Sequence, residues 1–212
     1  AVLLLRRFDR SGARRVAFRS ALTAVGAREQ EPHSYIEIAE ALRSYKAPAG
    51  RMRLIPGVKR TYLIDDSYNS SSSSGTINAL LTVRDMPKAE TALTYAVLGD
   101  MLEMGAMTEE GHGKVGRSAA ETVNVLVLVG ERMRFAEKAA LEAGMSKEKV
   151  FHFGTTDEAG RFVQSRMKEG DVVLIKGSQS MRMERVVKEL MADPLMAPKL
   201  LVRQEEEWLN KS

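Results

Sequence analysis

Three short strings concentrate the polar chemistry of this sequence. Asp65-Asp66-Ser67-Tyr68-Asn69 sets two carboxylates, a phenol and an amide directly behind an apolar run. A carboxylate there can accept both hydroxyls of a ribose, and an amide can read a base edge. The same residues could instead form an Asx-type loop that caps the next helix. Gly99-Asp100-Met101-Leu102-Glu103-Met104-Gly105 flanks two acids with glycines. Backbone can approach a ligand closely there, or simply turn. Lys176-Gly177-Ser178-Gln179-Ser180 brings an ammonium, free N–H groups and two hydroxyls to a helix start. That combination suits a phosphate or a carboxylate. Gly50-Arg51-Met52 adds an arginine that could reach a nucleotide phosphate or ribose, or stand as one surface arginine among many.

Other chemistries are not legible. The phosphate-binding spacing of Gly, four residues, then Gly-Lys-Ser/Thr is absent from the chain. No cysteine is present, which excludes disulfides and thiolate sites. His33, His112 and His152 share no metal-ligand spacing, so no metal site is expected and each histidine reads as structural. No Ser-His-Asp set is visible, and no complete catalytic set. The methionines near Met101 and Met183 read as core filling. The five serines from Ser70 read as a loop. A net charge of +4 rests on arginines crowded into the first 60 positions with few aromatics among them, which favours a solvated face over nucleic-acid binding. No apolar run reaches the roughly 20 residues a membrane helix needs, and no signal peptide is evident. A cytoplasmic protein is the expectation.

The elements that must position these strings follow from periodicity. Apolar runs predict strands at Thr61 to Asp65, Leu93 to Leu98, Val123 to Val129, Val150 to Phe153 and Val172 to Ile175. Helical patterns fill the gaps: Gly75 to Arg84, Glu109 to Thr122 behind Thr108 as N-cap, Glu131 to Ala143, Asp157 to Lys168 behind a Thr155/Glu158 capping box, and Met183 to Met191. Alternating strands and helices imply a Rossmann-like, mostly parallel α/β sheet with helices on both faces. All three strings then fall just after strands, where such sheets bind ligands. The first 60 residues read differently, with an apolar run Val2 to Leu5, helices near Val16 to Val25 and Ser34 to Tyr45, and a short strand Met52 to Ile55. Pro56-Gly57 suggests a boundary, dividing residues 1–58 from 59–212. A start at Ala1 inside a strand-like run reads as a truncation.

In order, these strings resemble the Mur ligase family, and within it the enzyme that adds D-alanyl-D-alanine. The resemblance rests on Ala49-Gly50-Arg51-Met52 with Ile64 to Asn69, on Val97 to Gly105, and on Lys176-Gly177-Ser178 with Met181-Arg182-Met183-Glu184. His112 and Val115-Gly116 fit the same pattern, which runs from about Ser34 to Leu190. The resemblance implies that residues 1–58 are the tail of a central ATPase domain and that 59–212 are the Rossmann-like third domain. It implies a reaction in which ATP activates the carboxylate of UDP-N-acetylmuramoyl-tripeptide as an acyl phosphate, which the amine of D-alanyl-D-alanine attacks, with Mg2+ neutralising phosphate charge. ATP and Mg2+ would be held mainly outside this chain, which alone would be inactive. A monomer is implied for the full-length enzyme. Carried over by position, Arg51, Asp66, Tyr68 and Asn69 would contact ATP, and Asp100, Lys176, Gly177 and Ser178 would lie towards the dipeptide.

The sequence departs from the family pattern at three places. Serines follow Asn69 where Ala-Asn-Pro is usual, Gln179 replaces an arginine, and Gly12-Ala13-Arg14-Arg15-Val16 replaces a His-Asn segment. A non-catalytic α/β docking module and a sister amide ligase, of another Mur or folylpolyglutamate type, are the alternatives. A nucleotide-binding Gly-Lys-Thr loop upstream in the same frame separates the ligases from the module.

Overall fold

The computed structural model describes residues 47–209. The expected run Val2 to Leu5, both front helices, the Gly12 to Val16 string and His33 lie outside those residues.

The strands are β1 Arg53–Gly57, β2 Thr61–Asp66, β3 Thr94–Gly99, β4 Val125–Val129, β5 Val150–Phe153 and β6 Val172–Lys176. The main helices are α1 Ser73–Arg84, α2 Thr108–Thr122, α3 Met133–Glu142, α4 Thr156–Arg166 and α5 Glu184–Leu190. One sheet runs in the order β1-β2-β6-β3-β4-β5. All neighbours are parallel except β1 and β2. The Rossmann-like expectation therefore holds.

Two cores flank the sheet. Ile64, Leu98, Leu128 and Leu174 pack against Leu80 of α1, Val115 of α2 and Ala136 of α3. Leu63, Val97, Val127 and Ile175 point the other way, onto Val163 of α4 and Val187 of α5. Successive side chains alternate faces, and both faces are covered, so the strands are apolar almost throughout. β6 lies between β2 and β3, yet its following helix packs on the opposite face from α1 and α2. Strand order reverses there, which opens a crevice at the carboxyl ends of β2, β6 and β3.

The expected boundary after residue 58 falls inside a hairpin. β1 pairs antiparallel with β2, and Ile55 is buried in the second core, so the compact unit starts at Ala47. Pro56-Gly57 ends an edge strand, where proline is tolerated, and does not separate domains.

Local signals resolve in three ways. The Thr155/Glu158 capping box forms as its spacing requires. Thr108 is the first helical residue and not the N-cap, because its backbone is already helical at φ −56° and ψ −55°; its hydroxyl donates back to the Gly105 carbonyl. The serine run is more than a loop: Ser72 caps α1 by accepting from the Gly75 N–H, and buried Ser70 shares a hydrogen bond with Thr76.

Gly116 lets α2 and α3 touch, since a β-carbon there would overlap the Ala136 carbonyl. Backbone cannot yield as a side chain can. Gly116→Ala is expected to lower stability by about 1–3 kcal/mol. Gly160→Ala, whose β-carbon would stand 3.2 Å from the nearest Glu189 side-chain atom and meet no carbonyl, should cost under about 1 kcal/mol. Urea denaturation of both variants checks the contrast, and equal losses would contradict it.

Candidate functional site

The rim is built from the register of β2 against β6. Asp66 and Lys176 are directly paired residues. Each is two positions beyond a residue of the first core, Ile64 and Leu174, so both leave the sheet on that face. They form an ion pair at 2.8 Å, with side chains 15% and 7% exposed. Lys176 also donates to the Asn69 carbonyl at 3.0 Å. The other Asp66 oxygen accepts the Met52 N–H at 3.1 Å. One charge pair thus holds β2, β6, the Tyr68 loop and the Arg51 turn together.

Asp65 faces the opposite side and is fully buried. Burial raises its pKa, opposed by the N–H groups of Ser67 and Gly50, which donate to its two oxygens at 3.1 Å. Gly50 has φ +68°, and a β-carbon there would sit 2.8 Å from the Tyr68 nitrogen. Glycine alone suits that close approach in the left-handed region. The Tyr68 N–H donates to the Gly50 carbonyl. These bonds set the Arg51 guanidinium over the exposed Tyr68 ring, 4.2 Å from its centre. The stack offers a flat cationic and aromatic surface to a ligand.

Ser178 laces the third loop to the first two. Its hydroxyl donates to the Ser70 carbonyl and accepts the Leu102 N–H. Its N–H donates to the Asp100 carbonyl. Gly177 is buried against Gly99, where a β-carbon would stand 3.1 Å from the Gly99 α-carbon. Asp100 is buried, and its carboxylate accepts the Met133 N–H at the start of α3. Asn69 accepts from the Ser70 and Gln179 N–H groups through its side-chain oxygen. The eight site residues read from the sequence therefore lie on one connected rim. Arg51 and Tyr68 present exposed surface, Asp66 and Asn69 are half-buried, and Asp100, Lys176, Gly177 and Ser178 are buried and bonded inward.

Sequence reasoning missed several rim residues. Arg132, just after β4, donates to the Leu102 carbonyl at 2.8 Å. Arg203 donates to the Ser67 and Tyr68 carbonyls and to buried Glu184. Arginines are frequent here, so only the pairing in space singles these out. His112 is structural, as expected: it is buried, accepts the Met101 N–H through Nε2 and donates from Nδ1 to Thr108. His152 is also held within the fold, with one ring nitrogen 2.8 Å from Glu137 and the other 2.8 Å from the Gly130 carbonyl. A broad concavity lined by Lys59, Arg60, Tyr62, Arg166 and Lys168 is at the other end of the sheet and shares none of this chemistry.

Comparison with known proteins bears on the family and the fold. A family model described as "Mur ligase, glutamate ligase domain" matches residues 50–179. UDP-N-acetylmuramoyl-tripeptide–D-alanyl-D-alanine ligase of Bacillus subtilis is 29% identical over 160 residues, covering 75% of this chain and 34% of the relative. The Escherichia coli enzyme of that name is 31% identical over 156 residues, covering 72% and 32%. The chain thus spans about a third of the length of the curated relatives it matches. Among solved structures, MurF from Acinetobacter baumannii superposes with a TM-score of 0.62 at 26% identity, covering 84% of this chain and 36% of that one. MurF ligase from Thermotoga maritima in complex with ADP has the same TM-score at 20% identity, covering 84% and 38%, and bears on the fold alone.

Two measurements follow from the rim. Lys176→Met strands the half-buried Asp66 carboxylate and should cost about 2–4 kcal/mol. Adding Asp66→Asn removes that stranded charge and should recover part of the loss, read by urea denaturation. A double variant no more stable than Lys176→Met would refute the coupling. Burial, the largest cause, lowers the His112 pKa, so folding favours the neutral ring. Its contribution is full above the unfolded value, about 6.5, and declines as pH falls below it. Imidazole NMR of the folded chain should therefore find His112 titrating below that value.

Proposed function

The chain belongs to the Mur ligase family, and from that premise we propose that it is the carboxy-terminal part of a ligase joining D-alanyl-D-alanine to UDP-N-acetylmuramoyl-tripeptide in peptidoglycan precursor synthesis. ATP would drive the reaction, in the cytoplasm. The observation that carries the reading is the Asp66–Lys176 pair at the reversal of strand order, with the Arg51–Tyr68 stack beside it. The relatives that match most of this chain bear the name of that ligase.

In this reading the exposed stack receives the nucleotide. Tyr68 offers its ring to the base, and Arg51 turns positive charge towards the phosphates. Asp66 keeps Lys176 and the Met52 N–H, and lone pairs remain for a ribose hydroxyl. Asn69 keeps its side-chain amide for the base edge. The loops carrying Asp100, Gly177 and Ser178 meet beside Lys176, and their shared bonds give the dipeptide a wall of fixed shape. Such preorganisation orients the attacking amine. Closing this rim over ATP would exclude water from an acyl phosphate.

ATP supplies the phosphoryl group that activates the carboxylate. No phosphate-binding loop occurs in the chain, and among the described residues no cluster of three acids or histidines could hold a metal ion. Mg2+ would be held mainly outside the described residues, where it would neutralise phosphate charge.

A substrate panel tests the assignment. The chain within its complete ligase should release ADP when given the UDP-tripeptide and D-alanyl-D-alanine together. Turnover with a single amino acid instead of the dipeptide would point to a sister ligase and sink the assignment. The 212-residue chain alone should bind ATP more weakly than micromolar in a calorimetric titration, because no phosphate cradle is present. In the complete ligase, Tyr68→Ala should raise the KM for ATP about tenfold, matching the loss of a base–aromatic stacking contact of roughly 1–2 kcal/mol.

A further inference from the structure

Arg203 stands on a short segment after the last long helix, and nothing in the motifs of the rim points to it. Its side chain is 5% exposed. The guanidinium donates to the Ser67 carbonyl at 2.6 Å, to the Tyr68 carbonyl at 3.1 Å and to Glu184 at 2.8 Å. Glu184 is 1% exposed and also accepts from Arg182 at 2.6 Å. Arg182 in turn donates to the Trp208 carbonyl and lies over the Trp208 ring, 5.4 Å from its centre. Both arginines have positive φ, 54° and 55°. Non-glycine residues hold that conformation when surrounding structure fixes it.

We propose that Arg203 is a positioning residue for the nucleotide-facing loop. It grips the carbonyls on both sides of the Ser67–Tyr68 step, and Glu184 fixes the direction of the grip. The Tyr68 ring then stays under Arg51, and the Arg51–Tyr68 stack keeps its orientation. The segment from Leu201 to Trp208 becomes a strap that ties α5 to the β2 loop. A planar fork is needed for this, because two carbonyls and one carboxylate oxygen must be met at once. Lysine offers one compact ammonium and cannot span them. The role of the strap is local: the bonds of the Arg203 guanidinium end on Glu184 and on the Ser67 and Tyr68 carbonyls, so its loss should loosen the loop before the sheet.

The inference rests on the nucleotide reading of the Tyr68 loop, and the test separates the two. Backbone amide exchange is followed by NMR in the full 212-residue chain and in Arg203→Met and Arg203→Lys. The Tyr68 N–H, bonded to Gly50, and the Ser67 N–H, bonded to Asp65, report the loop. Amides of β3 and β6 report the sheet. In Arg203→Met the loop amides should exchange at least about tenfold faster while sheet amides keep their rates, and Arg203→Lys should recover only part of the protection. Equal acceleration of loop and sheet would mean plain destabilisation and overturn the proposal, as would an unchanged loop. Unfolding followed by Trp208, the single tryptophan, confirms that each variant is folded under the conditions used. A variant that fails to fold gives way to Glu184→Gln, expected to loosen the same two amides. In parallel, millimolar ADP is titrated into the wild-type chain. Perturbation at Tyr68 and Asn69 that weakens at least about fivefold in Arg203→Met supports the proposal, and an ADP affinity unchanged in the folded variant overturns its functional half. Absence of any perturbation in the wild type sinks the nucleotide reading instead, and the exchange rates then decide the strap alone.

Discussion

Asp66 and Lys176 share one level of the sheet, and the rim depends on their attraction. Two charges this enclosed are costly to leave unpaired, so each must find the other as the strands align. Once paired, their remaining hydrogen-bonding capacity fixes what lies around them. The second oxygen of Asp66 takes the Met52 N–H, and the ammonium takes the Asn69 carbonyl. Two loops with few apolar residues thus gain defined positions without burying a core of their own.

The neighbouring loops are held by the same kind of interaction, a side chain bonded to backbone. Ser178 ties the β6 loop to the β2 and β3 loops, Arg132 ties the β4 loop to the β3 loop, and Arg203 ties the terminal segment to the β2 loop. Each loop leaves a buried parallel strand and would otherwise present unpaired carbonyls or N–H groups at a half-buried rim. Side chains from neighbouring loops satisfy them. Membership of the Mur ligase family gives this lacing a purpose. Under the proposed function, a surface that would meet a nucleotide in one orientation could not be assembled from independently moving loops.

The fold was largely legible in residue order. Five of the six strands announced themselves as apolar runs between helical patterns, because a parallel strand covered on both faces has no polar side to show. The helix α4 was readable down to its Thr155/Glu158 cap, a purely local device. β1 reads as a strand, but Pro56-Gly57 at its end reads as a domain boundary. Its proline and glycine give a strong turn signal, and its antiparallel partner lies across a tight turn that sequence alone could also read as a linker. The serine run misled in the same way: composition suggested a loop, while two of its hydroxyls are built into the start of α1.

Residue types and spacing determined that polar groups would gather behind β2, β3 and β6, since strand ends and helix starts follow from local pattern. They also determined the family, through motifs kept in order. Only the tertiary structure decided which of those groups look outward and which bind inward. Asp65 and Asp66 are adjacent and chemically alike, yet the alternation of the strand sends one into a buried backbone turn and the other to Lys176. Arg203 and Arg132 are indistinguishable in sequence from the many other arginines. Their roles come from register and chain crossing, which bring distant backbone carbonyls within reach, and such proximity is set by packing of the whole sheet and not by any local preference.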